Sequence, residues 1–169
     1  MVIRAEEPRD SRAIHAVEVA AFGQPAEAEL VDALRRAGAA PLVSLVADDA
    51  GEIVGHALFS PVTLDRHPAT RLMGLGPMAV APARQRFGIG SALVREGSFA
   101  CARAGIAGLV VLGHPDYYPR LGFVPASRFG IASEYDAPDE AFMAMELVAG
   151  AFTGVSGTVR YHAAFGAVA

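Results

Sequence analysis

Met78-Ala79-Val80-Ala81-Pro82-Ala83-Arg84-Gln85-Arg86-Phe87-Gly88-Ile89-Gly90-Ser91-Ala92-Leu93 is the stretch on which the fold turns. An apolar strand ends at Val80, a short loop follows, and helical spacing begins at the Gly88-Ile89-Gly90 step. The first amides of a helix have no partner inside it and converge with the positive end of its dipole, which suits a phosphate. Glycines at alternate positions let the backbone approach an anion without Cβ interference. A glycine-rich strand-to-helix turn that holds no ligand is the plainer reading of the same residues. The segment is not a P-loop, because no Lys-Ser/Thr follows the second glycine. It also lacks the three-glycine spacing of a dinucleotide fingerprint.

Working outward, Leu109-Val110-Val111-Leu112 is an unbroken apolar run, as in a strand buried on both faces. With the helix from Gly88 to about Ala104 before it, this makes a strand–helix–strand crossover with parallel strands. Upstream, Val2-Ile3-Arg4 reads as a strand. A first helix, capped at Asp10-Ser11, carries Ile14 and Val17, and a second carries Ala26, Leu30, Val31 and Leu34. Leu42–Ala47 and Ile53–Phe59 flank the Asp48-Asp49-Ala50-Gly51 turn as a hairpin. The strand from Arg71 to Val80 is interrupted by Gly74, Gly76 and Pro77, which predicts a bulge or a close backbone approach. Downstream come a short helix at Tyr117–Leu121, a strand over Ala141–Val148, and a Gly-rich tail with strand potential near Val159.

The 169 residues suit one domain, and no linker separates residues 150–169, which are expected to pack as a C-terminal tail on the domain 1–169. With 53% hydrophobic and 19% charged residues, a packed core is expected and disorder is not. The net charge of −4 comes without a basic stripe, so nucleic acid is not an expected partner. No apolar run is long enough for a bilayer and no leader-like start is visible, so no membrane association is expected. Cys101 is the only cysteine and reads as a small core residue in a reducing, cytoplasmic setting.

A second block, Tyr117-Tyr118-Pro119-Arg120-Leu121-Gly122-Phe123, joins the first. Gln85-Arg86-Phe87-Gly88-Ile89-Gly90 resembles the Q/R-x-x-G-x-G/A signature of the GNAT superfamily of N-acetyltransferases. The Tyr118 block resembles that family's aromatic-Tyr-x-x-x-Gly-Phe element after the fifth strand. Gly55-His56-Ala57-Leu58-Phe59-Ser60-Pro61-Val62 and Phe142-Met143-Ala144-Met145-Glu146-Leu147 are similar to the YhbS-type branch of predicted acetyltransferases. The resemblance implies an α/β (α+β) fold: a twisted, mixed, mostly antiparallel sheet of six to seven strands, flanked by helices, with a splayed parallel fourth and fifth strand. It implies acetyl-CoA as co-substrate, no metal, and acetyl transfer to an amine by direct attack in a ternary complex. GNAT proteins are often dimers, so a homodimer is compatible with it.

By the same resemblance, main-chain groups of Met78 and Val80 hold the pantetheine arm. An amide near the Met78-Ala79 step polarises the thioester carbonyl. The amides from Gln85 through Arg86, Phe87, Gly88, Ile89 and Gly90 to Ser91 hold the pyrophosphate. Tyr118 is the acid toward the departing sulfur, while Tyr117 reads as packing. An amine of pKa ~10.4 is mostly protonated at pH 7, and freeing its lone pair costs roughly 4–5 kcal/mol. Many relatives place a Glu on the fourth strand for this, yet Arg71–Met78 contains no carboxylate. His56, Glu29 and His114 are the candidates that remain, together with a water chain. The missing carboxylate also sustains an alternative, an acyl-CoA-binding sensor or regulatory module with little catalytic activity.

Overall fold

The structure is a computed structural model that describes residues 1–168. Strands β1 (Val2–Ala5), β2 (Val43–Asp49), β3 (Glu52–Leu64) and β4 (Leu72–Val80) pair antiparallel in sequence order. Strand β5 (Gly108–Leu112) then pairs parallel to β4. Strand β8 (Phe142–Glu146) lies antiparallel beside β5, and the short β6 (Val124–Pro125) closes that edge. These seven strands form one path, as the resemblance implies. Two more raise the total to nine: β7 (Ile131–Ser133) pairs with β9 (Gly157–Arg160), and β9 attaches to the far end of β3 through Thr63 and Leu64. The expected strand count was too low because three- and four-residue strands offer too few alternations to register as a period.

Helices α1 (Ser11–Phe22) and α2 (Ala26–Arg36) cover one face of the sheet, and α3 (Ile89–Arg103) covers the other. Side chains alternate along β3, so one strand serves both layers. Leu58 packs with Ile14, Leu30 and Leu34, while Ala57 and Phe59 pack with Leu93 and Val94 of α3. Gly97 of α3 stands where any Cβ would overlap the Phe59 ring, so the helix rides close to the sheet. Cys101 is fully buried with its sulfur 3.7 Å from Met73 Sδ, and burial pushes its thiol up to about 12. It is an inert core residue, as its surroundings in the sequence suggest. Asp10 occupies the N-cap position of α1, but its side chain makes no capping bond there. Its carboxylate instead accepts from the Glu7 amide (2.7 Å) and pairs with Arg4 (2.7 Å).

The feature that positions the site is the interruption in β4. Ala57 faces Met78 and Phe59 faces Leu75, so Gly76 and Pro77 together oppose the single residue Leu58. This is the bulge that the Gly-Pro step predicts. Gly76 has φ 146°, a region open to glycine, and Pro77 has no N–H to donate. The pairing of β4 with β5 stops at Leu75 opposite Val111, directly before the bulge. Beyond it the two parallel strands diverge, and the β4 backbone from Gly76 to Val80 has no strand partner on that side.

Candidate active site

A cleft of about 1050 Å³ opens where β4 and β5 part. One end of it is the loop between β4 and α3. Gln85 folds back to donate from Nε2 to the Val80 carbonyl (3.0 Å), and Arg84 pairs with Asp49 at the end of β2. Arg86 (φ 67°) and Gly88 (φ 83°) are both left-handed, which turns the chain sharply into α3. Ala92 makes the first helical bond, back to the Gly88 carbonyl (3.0 Å). The amides just before it therefore have no helical acceptor and open toward the cleft. Met78, Val80, Gln85, Arg86, Gly88, Ile89, Gly90 and Ser91 all line this space. Two residues of the sequence reading do not. Ala79 is buried on the opposite face of β4, and the Phe87 ring is 77% exposed to solvent. Either can contribute only backbone, because strand alternation and the outward bend of the loop turn their side chains away.

The tyrosine pair, which follows β5, lines the same cleft. Tyr118 is wedged against Gly113, where a Cβ would overlap its ring, and meets Tyr117 and Phe123 edge-on at 5.0 and 5.6 Å. It is 8% exposed and lines the cleft. Burial, with a smaller contribution from Tyr117, pushes its phenol up to about 12. Tyr117 is more than packing. Its hydroxyl lies 3.0 Å from Ser91 Oγ at the start of α3, and Arg120 sits over its ring at 5.5 Å. A Cβ on Gly90 would come within 2.9 Å of that hydroxyl, so the second glycine of the loop makes room for Tyr117.

The three candidates for receiving the amine proton separate in space. His114 is exposed and lines the cleft just after β5. His56 does not reach it. The ring is fully buried between α1 and the sheet, with Nδ1 2.6 Å from Glu18 Oε1 and Nε2 2.9 Å from Ser44 Oγ. Both ring nitrogens are engaged, because residue 56 points to the α1–α2 face of β3 rather than along the cleft. Glu29 is also misplaced by the sequence reading. It sits on the solvent side of α2, outside the cleft. Glu27, two residues earlier, shares a face with Leu30, Val31 and Leu34 and lines the cleft. Its carboxylate accepts from Gln24 Nε2 at 3.0 and 3.1 Å. The i, i+3, i+4, i+7 spacing from Glu27 to Leu34 was the signal available to find it.

The other end of the cleft is built from distant segments. Phe22 ends α1, and Tyr135, Tyr161 and Phe165 come from after β7 and from the tail. Strand β9 fixes Tyr161 against β4, where a Cβ on Gly74 would lie 3.2 Å from its ring. Phe165, from the turn at Ala163–Ala167, packs on the α2 cluster of Leu30, Val31 and Leu34. Among the described residues no group of three or more His, Cys, Asp or Glu is arranged to hold a metal ion. No helix there is long and apolar enough to cross a membrane.

Residues 41–125, which span β2 to β6 with both sequence blocks, match the model of the acetyltransferase (GNAT) domain family. The chain is 34% identical over 165 residues to the uncharacterized N-acetyltransferase YhbS of Escherichia coli K12, covering 98% of each. The crystal structure of the E. coli YhbS protein in complex with CoA superposes with a TM-score of 0.92, over 98% of this chain and 91% of that one. A GNAT family acetyltransferase from Brucella melitensis in complex with acetyl-CoA is 39% identical, with a TM-score of 0.79 over 97% of both chains.

Proposed function

The chain belongs to the GNAT acetyltransferase family, and from that premise we propose that Tyr118 and the Met78–Ser91 segment carry acetyl transfer from acetyl-CoA to an amine. The observation that carries the assignment is the convergence of three things on one cleft: an unpaired strand edge, a set of helix-start amides, and a largely buried tyrosine that lines the same space. The strand edge at Met78 and Val80 suits the amide-bearing pantetheine arm. The amides from Arg86 to Ser91, with the Arg86 side chain beside them, suit the pyrophosphate. When bound, acetyl-CoA supplies the activated acyl group, and relatives with CoA and acetyl-CoA bound support that assignment.

In the proposed step the neutral amine nitrogen attacks the thioester carbon, a C–N bond forms, and the C–S bond breaks. One proton leaves the nitrogen and one is supplied at the sulfur. Tyr118 sits where it can offer that second proton or a hydrogen bond. A tyrosine of pKa ~10 is a weaker acid than a thiol of pKa ~8.5, so full transfer is uphill by roughly 2 kcal/mol in water. In a desolvated cleft the bare thiolate is penalised as well, so a hydrogen bond placed at the sulfur already lowers the barrier. The amine proton leaves through water to Glu27 or His114, the carboxylate and the imidazole that line the cleft. His56 and Glu29 have no part in it.

The whole chain acts as one acetyltransferase domain in this reading, with Tyr161, Phe165 and Val168 of the tail completing the cleft. A cytoplasmic location is consistent with a lone, buried cysteine. The relatives lend no support to a non-catalytic sensor. The test is a panel of amines scored by thiol release from acetyl-CoA. Turnover with at least one amine above the rate of hydrolysis supports the reading, and CoA binding without turnover across the panel would overturn it.

A further inference from the structure

The two ends of the cleft differ in chemistry, and the difference defines an acceptor class. We propose that the end formed by Tyr135, Tyr161 and Phe165 is an aromatic pocket for a primary monoamine carried on an apolar, alkyl or arylalkyl body. This inference rests on the acetyltransferase reading of the same cleft.

The Tyr161 ring lies between two others, 5.4 Å from Tyr135 and 5.2 Å from Phe165. It rests on the β4 backbone at Gly74, two residues before the bulge that opens the cleft. The segment that bears it, β9 and the residue after it, is held at two points. Glu134 Oε1 accepts from the Tyr161 amide (2.6 Å), and Asp65 Oδ1 accepts from the Thr158 amide (2.9 Å). The ring is therefore a fixed wall. Burial raises the Tyr161 phenol above the usual range, so the ring presents a neutral surface.

Charge is segregated along the cleft. Its guanidinium groups lie in or beside the loop end: Arg84 is paired with Asp49, Arg86 is in the loop, and Arg120 is over Tyr117, whose hydroxyl meets Ser91. An acceptor bearing a carboxylate meets no cation at the aromatic end, and burying that carboxylate unpaired is unfavourable. Glu27 is the carboxylate that lines the cleft among the described residues, and it stands on the helix against which Phe165 packs. One carboxylate and three rings match one ammonium on an apolar body. The rings contribute area burial and attract the arriving cation by its charge.

The test is calorimetric titration of the full chain saturated with CoA, with 2-phenylethylamine as probe and hexylamine, spermidine and glycine for comparison. The expected result is that 2-phenylethylamine and hexylamine bind at least tenfold more tightly than glycine or spermidine. Tyr161→Ala, or Phe165→Leu if that variant does not fold, should weaken 2-phenylethylamine about tenfold while CoA affinity stays within twofold. Tyr161→Phe should restore it. Equal or tighter binding of glycine or spermidine would overturn the pocket, as would an unchanged affinity in both variants. Failure of the wild-type chain to bind CoA would instead overturn the acetyltransferase reading itself.

Discussion

The loop end of the cleft comes from one continuous stretch, residues 78–91, whereas the aromatic end is assembled from Phe22, Glu27, Tyr135, Tyr161 and Phe165. The loop end works through backbone: amides, left-handed residues and glycines do what side chains cannot. The aromatic end works through side chains brought together by the bulge, by the β7–β9 pairing and by the tail. A cofactor common to a family can be held by a constant backbone frame, while the acceptor is chosen by residues that the frame leaves free. The two halves should therefore break differently.

The largest effect belongs to the loop. Nothing lies within 4 Å of a Cβ placed on Gly88, so Gly88→Asp is expected to fold despite its positive φ. Its carboxylate would face the pyrophosphate, and CoA affinity should fall more than 100-fold, read by calorimetry on the folded variant. Unchanged affinity would remove the phosphate from this end. Next is the acceptor side. Glu27→Gln should lower kcat/KM for the amine about tenfold with the KM for acetyl-CoA unaltered, whereas Glu29→Gln should change neither by more than twofold. Equal losses in both variants would erase the distinction between the faces of α2. A smaller effect is expected where the halves meet. Tyr117→Phe removes the bond to Ser91, about 1 kcal/mol or fivefold in CoA affinity, with kcat nearly preserved.

The smallest effect is a flat one. Tyr118 must be protonated to serve the sulfur, and its pKa is raised to about 12, so its proton is present below that pH and is lost only as pH rises through it. The maximal rate should show no Tyr118-dependent decline between pH 7 and 10. A basic limb in that range that disappears in Tyr118→Phe would contradict the buried phenol.

How far the sequence reaches follows the same division. Gly88-Ile89-Gly90 and Tyr118-Pro119-Arg120-Leu121-Gly122-Phe123 are local patterns, and a local pattern needs no knowledge of what packs on it. Gly76-Pro77 likewise announces its bulge through backbone chemistry alone. His56 was misplaced because alternation along a strand says which residues share a face but not which face borders the cleft. Glu29 was misplaced by a helical phase of two residues, although the Leu30-Val31-Leu34 stripe points to Glu27. Tyr161 and Phe165 carry no local signal. Their position depends on β9 joining β3 across nearly a hundred residues, and short, irregular strands of that kind leave little periodicity to read.

The central claim is that Tyr118 serves the chemical step and not the binding of either substrate. Single-turnover acetyl transfer by Tyr118→Phe, with enzyme, acetyl-CoA and the best amine premixed at saturation, tests it most directly. The expected result is a rate about 100-fold below wild type at unchanged acetyl-CoA affinity, the size of a general-acid contribution. A near wild-type single-turnover rate, or a loss of acetyl-CoA affinity large enough to account for the deficit, would contradict it.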